Sequence, residues 1–327
     1  MRSSLLTLLI TLILPANAIA RECPDLSNAA AYESKNLLSY KLLSEGKDDW
    51  IFRTSNDYKY DFSLNDKTIA HLRTLNAGLE KRGTHLIVAL LPTRGMVNYT
   101  HISQADLSTY KIPTQNTLWS GYKDRVAQLE KSGIDTVAVE EAAINEILFF
   151  YKQDHHWRPE GAQLMAKNVA SKIKALPVYK DLPISGFKTE KHKDAAYKGT
   201  FTKVYKTLCG YNLQPQNVPV FETTHTQPSD EQDLFGDSQA AVVLVGTSNS
   251  VNATSRANFD GFLKENLQTD VLNLSETGGG ADDAMLKFLA SDGFRNTPPK
   301  ILIWELPVYY DLNKLNSFYK KAEGLVK

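Results

Sequence analysis

Two short stretches of this 327-residue chain carry residue types that could do chemistry together. The first is "DHHWRPEGA", in which Asp154, His155, His156 and Trp157 stand side by side although the whole chain has only 7 histidines. Residues two apart on extended backbone point the same way, so Asp154 and His156 can share a face while His155 turns aside. Histidine titrates near neutrality, and an adjacent carboxylate orients the ring and favours its protonated form. The second stretch is "LVGTSNS", where Ser248 follows an apolar run and Gly246-Thr247 and precedes a helical pattern. A serine at such a strand–turn–helix corner is lifted to the top of a sheet, beside N–H groups able to support an oxyanion. A serine hydroxyl becomes a nucleophile only when a base takes its proton and a third group holds the base. Ser248, His156 and Asp154 are therefore the candidate nucleophile, base and orienting carboxylate. Taken singly, each has a plainer reading: Ser248 as a helix N-cap, and the Asp-x-His pair as structural or, with His155, metal-binding.

The elements that must position these residues are readable as alternation. Apolar runs at His85–Leu91, Ile134–Glu140, Ala241–Gly246, Asp270–Ser275 and Lys300–Pro307 alternate with helical patterns. The helical patterns cover Asp66–Lys81, Thr117–Gly133, Phe259–Leu267 and Ala281–Ala290, with a further helix opening at Pro159. Continuous apolar strands separated by helices predict an α/β fold with a central parallel sheet covered on both faces. Sites on such sheets form at the carboxyl ends of the strands, where Ser248 falls; Asp154 and His156 read as a loop between the Glu140–Tyr151 region and the helix opening at Pro159. The segment from Leu176 to Asp237 is rich in Lys, Thr, Pro and Gln and reads as a long insertion with a few strands, covering one edge of the sheet.

Composition bounds the function. A net charge of +0 argues against broad nucleic-acid binding, and a hydrophobic share of 42% provides for a sizeable core. Residues 1–20 have Arg2, an apolar stretch from Leu5 to Leu14 and small residues in A-x-A spacing, so they read as a signal peptide cleaved after Ala18 or Ala20. Arg21 and Glu22 separate that site from Cys23, which argues against a lipoprotein. In an oxidising compartment the two cysteines, Cys23 and Cys209, read first as a disulfide, with two free thiols or a metal site as poorer alternatives.

With these marks in place, the chain resembles the AlgX/AlgJ group of polysaccharide O-acetyltransferases, a branch of the SGNH-hydrolase-like proteins. The resemblance rests on "DHHWRPEGA" followed later by "LVGTSNS", on "LLPTRGMVNY", on "NFDGFLKENLQTDVLNLSETGGG" and on "ILIWELP". An Asp-x-His that precedes the serine in the chain matches that group and not ordinary SGNH hydrolases, which carry the serine first.

The resemblance implies an SGNH-like three-layer fold over residues 21–327, with the insertion at about 176–237. It implies Ser248 as an acetyl-carrying nucleophile, His156 as general base, Asp154 as its orienter, and the N–H groups of Ser248 and of Gly278 or Gly279 as an oxyanion hole. Arg94, at a strand end, would hold an acyl donor or a sugar, or serve as a strut to Glu305 or another acid. Trp157 would stack on sugar or form a buried wedge. No cofactor or metal is implied. The expected setting is the periplasm, with an exopolysaccharide acceptor, acetyl supplied through a membrane O-acyltransferase, and other export-complex proteins as partners. The short tail after "ILIWELPVYYDL" leaves no room for a separate carbohydrate-binding module. Competing expectations are a carbohydrate acetylesterase using the same residues and a non-catalytic polysaccharide-binding scaffold.

Overall fold

The computed structural model of the chain describes residues 23–145, 147–226 and 240–327. The segment read as a signal peptide lies outside them. Five of the strands form one sheet: β3 (His85–Leu91), β4 (Asp135–Val137), β7 (Val242–Val245), β8 (Val271–Asn273) and β9 (Ile301–Pro307), in the order β4-β3-β9-β7-β8. Every pairing in it is parallel. The three inner strands are buried almost throughout, as continuous apolar runs require when both faces are covered.

Seven helices matter to the site and its scaffold. They are α1 (Asp66–Lys81), α2 (Gln115–Lys131), α3 (Pro159–Ala175), α4 (Phe201–Leu208), α5 (Phe259–Leu267), α6 (Asp283–Leu289) and α7 (Asn316–Leu325). α1, α2, α6 and α7 form one outer layer, whereas α3 and α5 pack against each other to form the second. This is the predicted α/β arrangement with a central parallel sheet. No helix among the described residues is long and apolar enough to cross a membrane.

Two further pairs of strands flank the sheet. β1 (Leu43–Glu45) and β2 (Ile51–Arg53) form a short antiparallel pair. β5 (Phe187–Tyr197) and β6 (Gln216–His225) form a long antiparallel ribbon within the predicted insertion. The ribbon pairs with no strand of the main sheet among the described residues; it packs on α5 and α3. The insertion therefore builds outward from the helical layer and does not extend or cap the sheet by strand pairing.

Cys23 and Cys209 are joined in a disulfide with a Cα–Cα distance of 5.4 Å. Beside it a small satellite core holds Leu26, Tyr32, Leu37, Leu43 and Ile51 against Phe201, Val204 and Tyr205 of α4. The covalent link and the apolar burial act on the same contact: both fix α4, whose first turn reaches the candidate site.

Candidate active site

Ser248 lies three residues beyond the end of β7, at the carboxyl edge of the sheet. The chain turns here because Thr247 is extended and caps a single 3-10 turn, Ser248–Ser250, through a hydrogen bond from the Asn249 N–H to its Oγ1, 3.2 Å. Gly246 permits the corner: a Cβ there would meet Glu305 Oε2 at 2.6 Å and Glu305 Cβ at 2.8 Å. Thr247, Asn249 and Ser250 are buried, while Ser248 is partly exposed, so the turn seals its neighbours and leaves this hydroxyl at the surface of the site.

Asp154 and His156 lie within the loop that the antiparallel Phe150–Trp157 bridge closes, just before α3. His156 Nε2 is 2.8 Å from Ser248 Oγ, across 92 positions of sequence. His156 Nδ1 is 2.6 Å from Asp154 Oδ1. The carboxylate can only accept, so Nδ1 carries the proton and Nε2 is free to accept from the serine hydroxyl. The three residues predicted from sequence are therefore brought together, with Asp154 and His156 buried behind the more open Ser248.

Asp154 is held from every side. Its Oδ1 also accepts from the His156 N–H at 2.9 Å, and its Oδ2 accepts from Tyr197 Oη at 2.8 Å and from the Thr200 N–H at 2.7 Å. Burial alone would raise this carboxyl group's pKa; the His156 imidazole and its hydrogen bonds outweigh burial and hold it far below the usual carboxylate range. Thr200 stands at the N-terminal end of α4, so the anion also faces the positive end of a helix. Gly199 makes this approach possible, because a Cβ there would lie 2.0 Å from the Gln153 carbonyl oxygen. Thus the insertion, through Tyr197 and Thr200, supplies two of the four hydrogen bonds that fix the orienting carboxylate. Neither residue was foreseen, since their partner lies some 43 to 46 positions away and no local pattern encodes the meeting.

Glu305, at the end region of β9, was anticipated only as a partner for Arg94. It instead underpins the serine corner. It accepts from the Thr247 N–H at 2.7 Å, from Thr247 Oγ1 at 3.0 Å and from Ser250 Oγ at 3.3 Å. Burial raises its pKa, against the opposing effect of those donors. The register explains the contact: Val245 pairs with Trp304, so the residues that follow each strand emerge at the same level.

Of the two readings open for Arg94 and for Trp157, each takes the structural one. Arg94 is buried below the site: Nη1 donates to Asp57 Oδ2 at 2.6 Å and to the Ile51 carbonyl at 2.8 Å, Nη2 donates to the Tyr151 and Lys152 carbonyls at 2.7 and 3.0 Å, and only Nε has no partner. It is a strut that braces the segment leading into Asp154, with Asp57 as its acid, and it is closed to a donor or sugar. Trp157 is likewise sealed. Its indole packs near Phe259, and its Nε1 donates to the Asn249 carbonyl at 2.8 Å. Trp157 thereby joins the His156 loop to the Ser248 turn and offers no face for sugar stacking.

Gly278 and Gly279 sit on the loop after β8. That loop runs beside the serine corner, because the Glu276 N–H donates to the Gly246 carbonyl at 3.1 Å and Thr254 Oγ1 pairs with Thr277 Oγ1 at 3.1 Å. Gly278 is exposed with φ of 82°, and Gly279 backs onto Asp283. No hydrogen bond joins either glycine to Ser248 among the described residues.

Asp154, His155 and His156 also place one potential metal-ligand atom each within 4.8 Å of one another. Both His156 nitrogens and both Asp154 oxygens already have partners, and His155 Nδ1 is 3.1 Å from Thr200 Oγ1. The donor set suits a relay of hydrogen bonds better than a cation. Burial, and then the charges of His156 and Arg53, hold the His155 imidazole well below its ordinary pKa.

Comparison with known proteins places this geometry in context. Residues 43–308 match a family model described as "SGNH hydrolase-like domain, acetyltransferase AlgX". The chain is 37% identical over 309 residues to "Alginate biosynthesis protein AlgX" of Pseudomonas aeruginosa, covering 93% of this chain and 63% of that protein. It is 31% identical over 297 residues to "Probable alginate O-acetylase AlgJ" of Pseudomonas syringae pv. tomato, covering 84% of this chain and 72% of the relative. Among solved structures, Pseudomonas aeruginosa AlgX superposes with a TM-score of 0.77 at 34% identity, covering 93% of this chain and 70% of that one. The O-acetyltransferase domain of Pseudomonas putida AlgJ gives 0.68 at 25% identity, covering 86% and 98%. The chain thus spans 63% of the length of the Pseudomonas aeruginosa AlgX relative.

Proposed function

The chain belongs to the SGNH hydrolase-like AlgX acetyltransferase family, and from that premise we propose that it moves acetyl groups through Ser248 onto hydroxyls of an exported polysaccharide. The observation that carries this reading is the unbroken relay from Ser248 Oγ to His156 Nε2 at 2.8 Å and from His156 Nδ1 to Asp154 Oδ1 at 2.6 Å.

The relay supports a two-step exchange. His156 takes the Ser248 proton as Oγ attacks the donor's acetyl carbonyl. The resulting oxyanion is met by the Ser248 N–H and that of Gly278 or Gly279. Collapse expels the donor's leaving group, which takes the proton back from His156, and leaves acetyl on Ser248. An acceptor hydroxyl then gives its proton to His156 and attacks the acetyl-serine; collapse breaks the bond to Ser248 Oγ, which takes that proton back from His156, and frees the acetylated sugar. Asp154 stabilises the imidazolium in both steps while staying ionised. Thr247 and Glu305 keep the serine corner rigid.

The setting we propose is the periplasm, with residues 21–327 as one catalytic domain carrying its insertion at about 176–237. The Cys23–Cys209 disulfide supports an oxidising compartment. Acetyl would be delivered through a membrane O-acyltransferase, and the acceptor would be presented by other proteins of an export complex. Both remain proposals alongside the polymer itself, which the names of the relatives suggest is alginate-like.

The test is to incubate the protein with a small acetyl ester, with and without an oligosaccharide acceptor, and to follow acetyl by mass spectrometry. Acetyl on the sugar, dependent on Ser248, supports transfer. Acetate release that added acceptor leaves unchanged assigns the relay to hydrolysis instead.

A further inference from the structure

The Tyr197 ring that brings a hydroxyl to Asp154 stands in a column of four side chains. It stacks on Tyr151, with ring centroids 4.4 Å apart and 25° between the planes. Each ring of the pair also carries a guanidinium. Arg158 lies over Tyr151, 5.6 Å from its centroid, and Arg256 lies over Tyr197, 5.3 Å from its centroid. The column joins three segments remote in sequence. Tyr151 and Arg158 flank the Asp154–His156 loop, and Tyr197 ends β5. Arg256 closes the helical turn Asn252–Ser255 that follows the Ser248 corner. Hydroxyls tie the same segments: Tyr151 Oη donates to the Ser255 carbonyl at 3.0 Å, and Tyr197 Oη donates to Asp154 Oδ2 at 2.8 Å, with the Thr254 carbonyl a weaker second acceptor at 3.4 Å.

The two cations of the column differ. Arg158 is buried and its charge is answered by Glu160, to which Nε and Nη2 donate at 3.1 and 2.8 Å. Arg256 is exposed; its Nη1 donates to the Ala196 carbonyl at 3.3 Å, and among the described residues it forms no ion pair. Its backbone is left-handed, with φ of 56°, a conformation that residues bearing a side chain seldom adopt. The chain accepts that local cost at the residue that completes the column. A cation over a phenol ring draws electron density from it and makes the hydroxyl a better donor. Burial and the Asp154 charge push the Tyr197 hydroxyl pKa upward, with Arg256 opposing them, so the proton stays on the phenol oxygen and is available to Asp154.

We propose that Arg256 is a positioning residue for the relay: acting through the ring and hydroxyl of Tyr197, it fixes the Asp154 carboxylate that orients His156. The proposal rests on the reading of Ser248 and His156 as the acetyl-transferring pair and adds to it a residue on the exposed side of the column. No hydrogen bond joins Arg256 to Ser248, His156 or Asp154 among the described residues, so its influence on them runs through Tyr197.

The experiment compares Tyr197→Phe, Arg256→Gln and the double variant with the parent, on a small uncharged acetyl ester. Tyr197→Phe keeps the ring and loses the hydroxyl; Arg256→Gln loses the cation. We expect kcat to fall about tenfold in the first and about threefold in the second, with KM changed by less than about twofold in both. The double variant should be no slower than Tyr197→Phe alone, because the hydroxyl through which Arg256 acts is already gone. Arg256→Lys, which keeps a cation over the ring, should recover most of the loss. Multiplying losses in the double variant, or a loss in Arg256→Gln carried by KM, would overturn the proposal. A second readout needs no turnover: the proton resonance of His156 Nδ1–H, which reports its bond to Asp154. Tyr197→Phe should shift it, and Arg256→Gln should shift it in the same direction by less. A resonance unmoved by Arg256→Gln would overturn the proposal. If the parent shows no ester turnover that depends on Ser248, the acetyl-transfer reading fails, and the resonance still decides whether Arg256 positions Asp154.

Discussion

Ser248 Oγ and His156 Nε2 meet at 2.8 Å although the two residues lie on separate loops 92 positions apart. The meeting is held by bonds that neither side chain makes itself. Trp157 Nε1 ties one loop to the Asn249 carbonyl, and Tyr151 Oη ties the same loop to the Ser255 carbonyl at 3.0 Å. Placement of the reacting pair is thus a property of packed neighbours, and the predictions below address those neighbours as well as the pair.

Replacing Asp154 by Asn removes the charge that stabilises the His156 imidazolium and puts an amide donor where only acceptors fixed the tautomer. Acetyl-ester turnover should fall by about 100- to 10,000-fold with the fold retained. Initial-rate measurement together with circular dichroism checks this; turnover within a few-fold of the parent would remove Asp154 from the relay.

The two buried carboxylates should respond to pH with opposite signs. The folded pKa of Asp154 lies below its unfolded value of about 3.9, so its stabilisation is complete above that value and is lost as the pH falls further. The folded pKa of Glu305 is raised, so it contributes a penalty that is absent below its unfolded value of about 4.3 and grows as pH rises towards the folded pKa. Melting temperatures of the parent, Asp154→Asn and Glu305→Gln across acid pH would show this. The Asp154→Asn deficit should shrink on acidification, and Glu305→Gln should gain on the parent as pH rises from about 4.

Glu305→Ala leaves the Thr247 N–H and hydroxyl and the Ser250 hydroxyl without their buried acceptor. Each unsatisfied group costs about 1–3 kcal/mol, so a clear drop in melting temperature and a fall in kcat are expected. Glu305→Gln keeps an acceptor and should lose less on both counts. Equal behaviour of the two variants would mean that the carboxylate position is not what holds the corner.

Gly199→Ala places a methyl group against the Gln153 carbonyl and should push Thr200 away from Asp154. The displacement is expected to cost about 100-fold in kcat and about 1–3 kcal/mol in stability, leaving the protein folded. Paired rate and denaturation curves distinguish this from general unfolding.

The disulfide joins residues 186 positions apart, for which chain entropy gives about 5 kcal/mol of stabilisation, with measured values often lower. Denaturant unfolding of Cys23→Ser/Cys209→Ser against the parent should show a loss of about 2–5 kcal/mol. Because the same link steadies α4, the double variant should also lose activity before it unfolds.

Much of the scaffold was legible in the sequence where burial on both faces writes a continuous apolar run. His85–Leu91 is a strand over the predicted range, and Asp66–Lys81 and Phe259–Leu267 are helices over theirs. The runs at Ile134–Glu140 and Asp270–Ser275 shrank to Asp135–Val137 and Val271–Asn273. Both are edge strands with a partner on one side only, and each pairs over three residues although its partner runs on. At the site, Ser248, His156 and Asp154 were legible because their chemistry depends on one another. Glu305, Tyr197 and Thr200 were not, because a buried carboxylate's donors come from segments whose approach is set by tertiary packing. Arg94 and Trp157 showed the converse: residues of suggestive type were spent on bracing the site.

The central claim is that acetyl passes through Ser248, and the most direct measurement is mass spectrometry of peptides from protein quenched soon after mixing with a small acetyl ester. The account predicts an acetyl group on the peptide containing Ser248, absent from Ser248→Ala and removed by added oligosaccharide acceptor with the acetyl recovered on sugar. Transfer to sugar by Ser248→Ala at the parent's rate, or an acetyl group that forms on another residue and turns over at the catalytic rate, would contradict it.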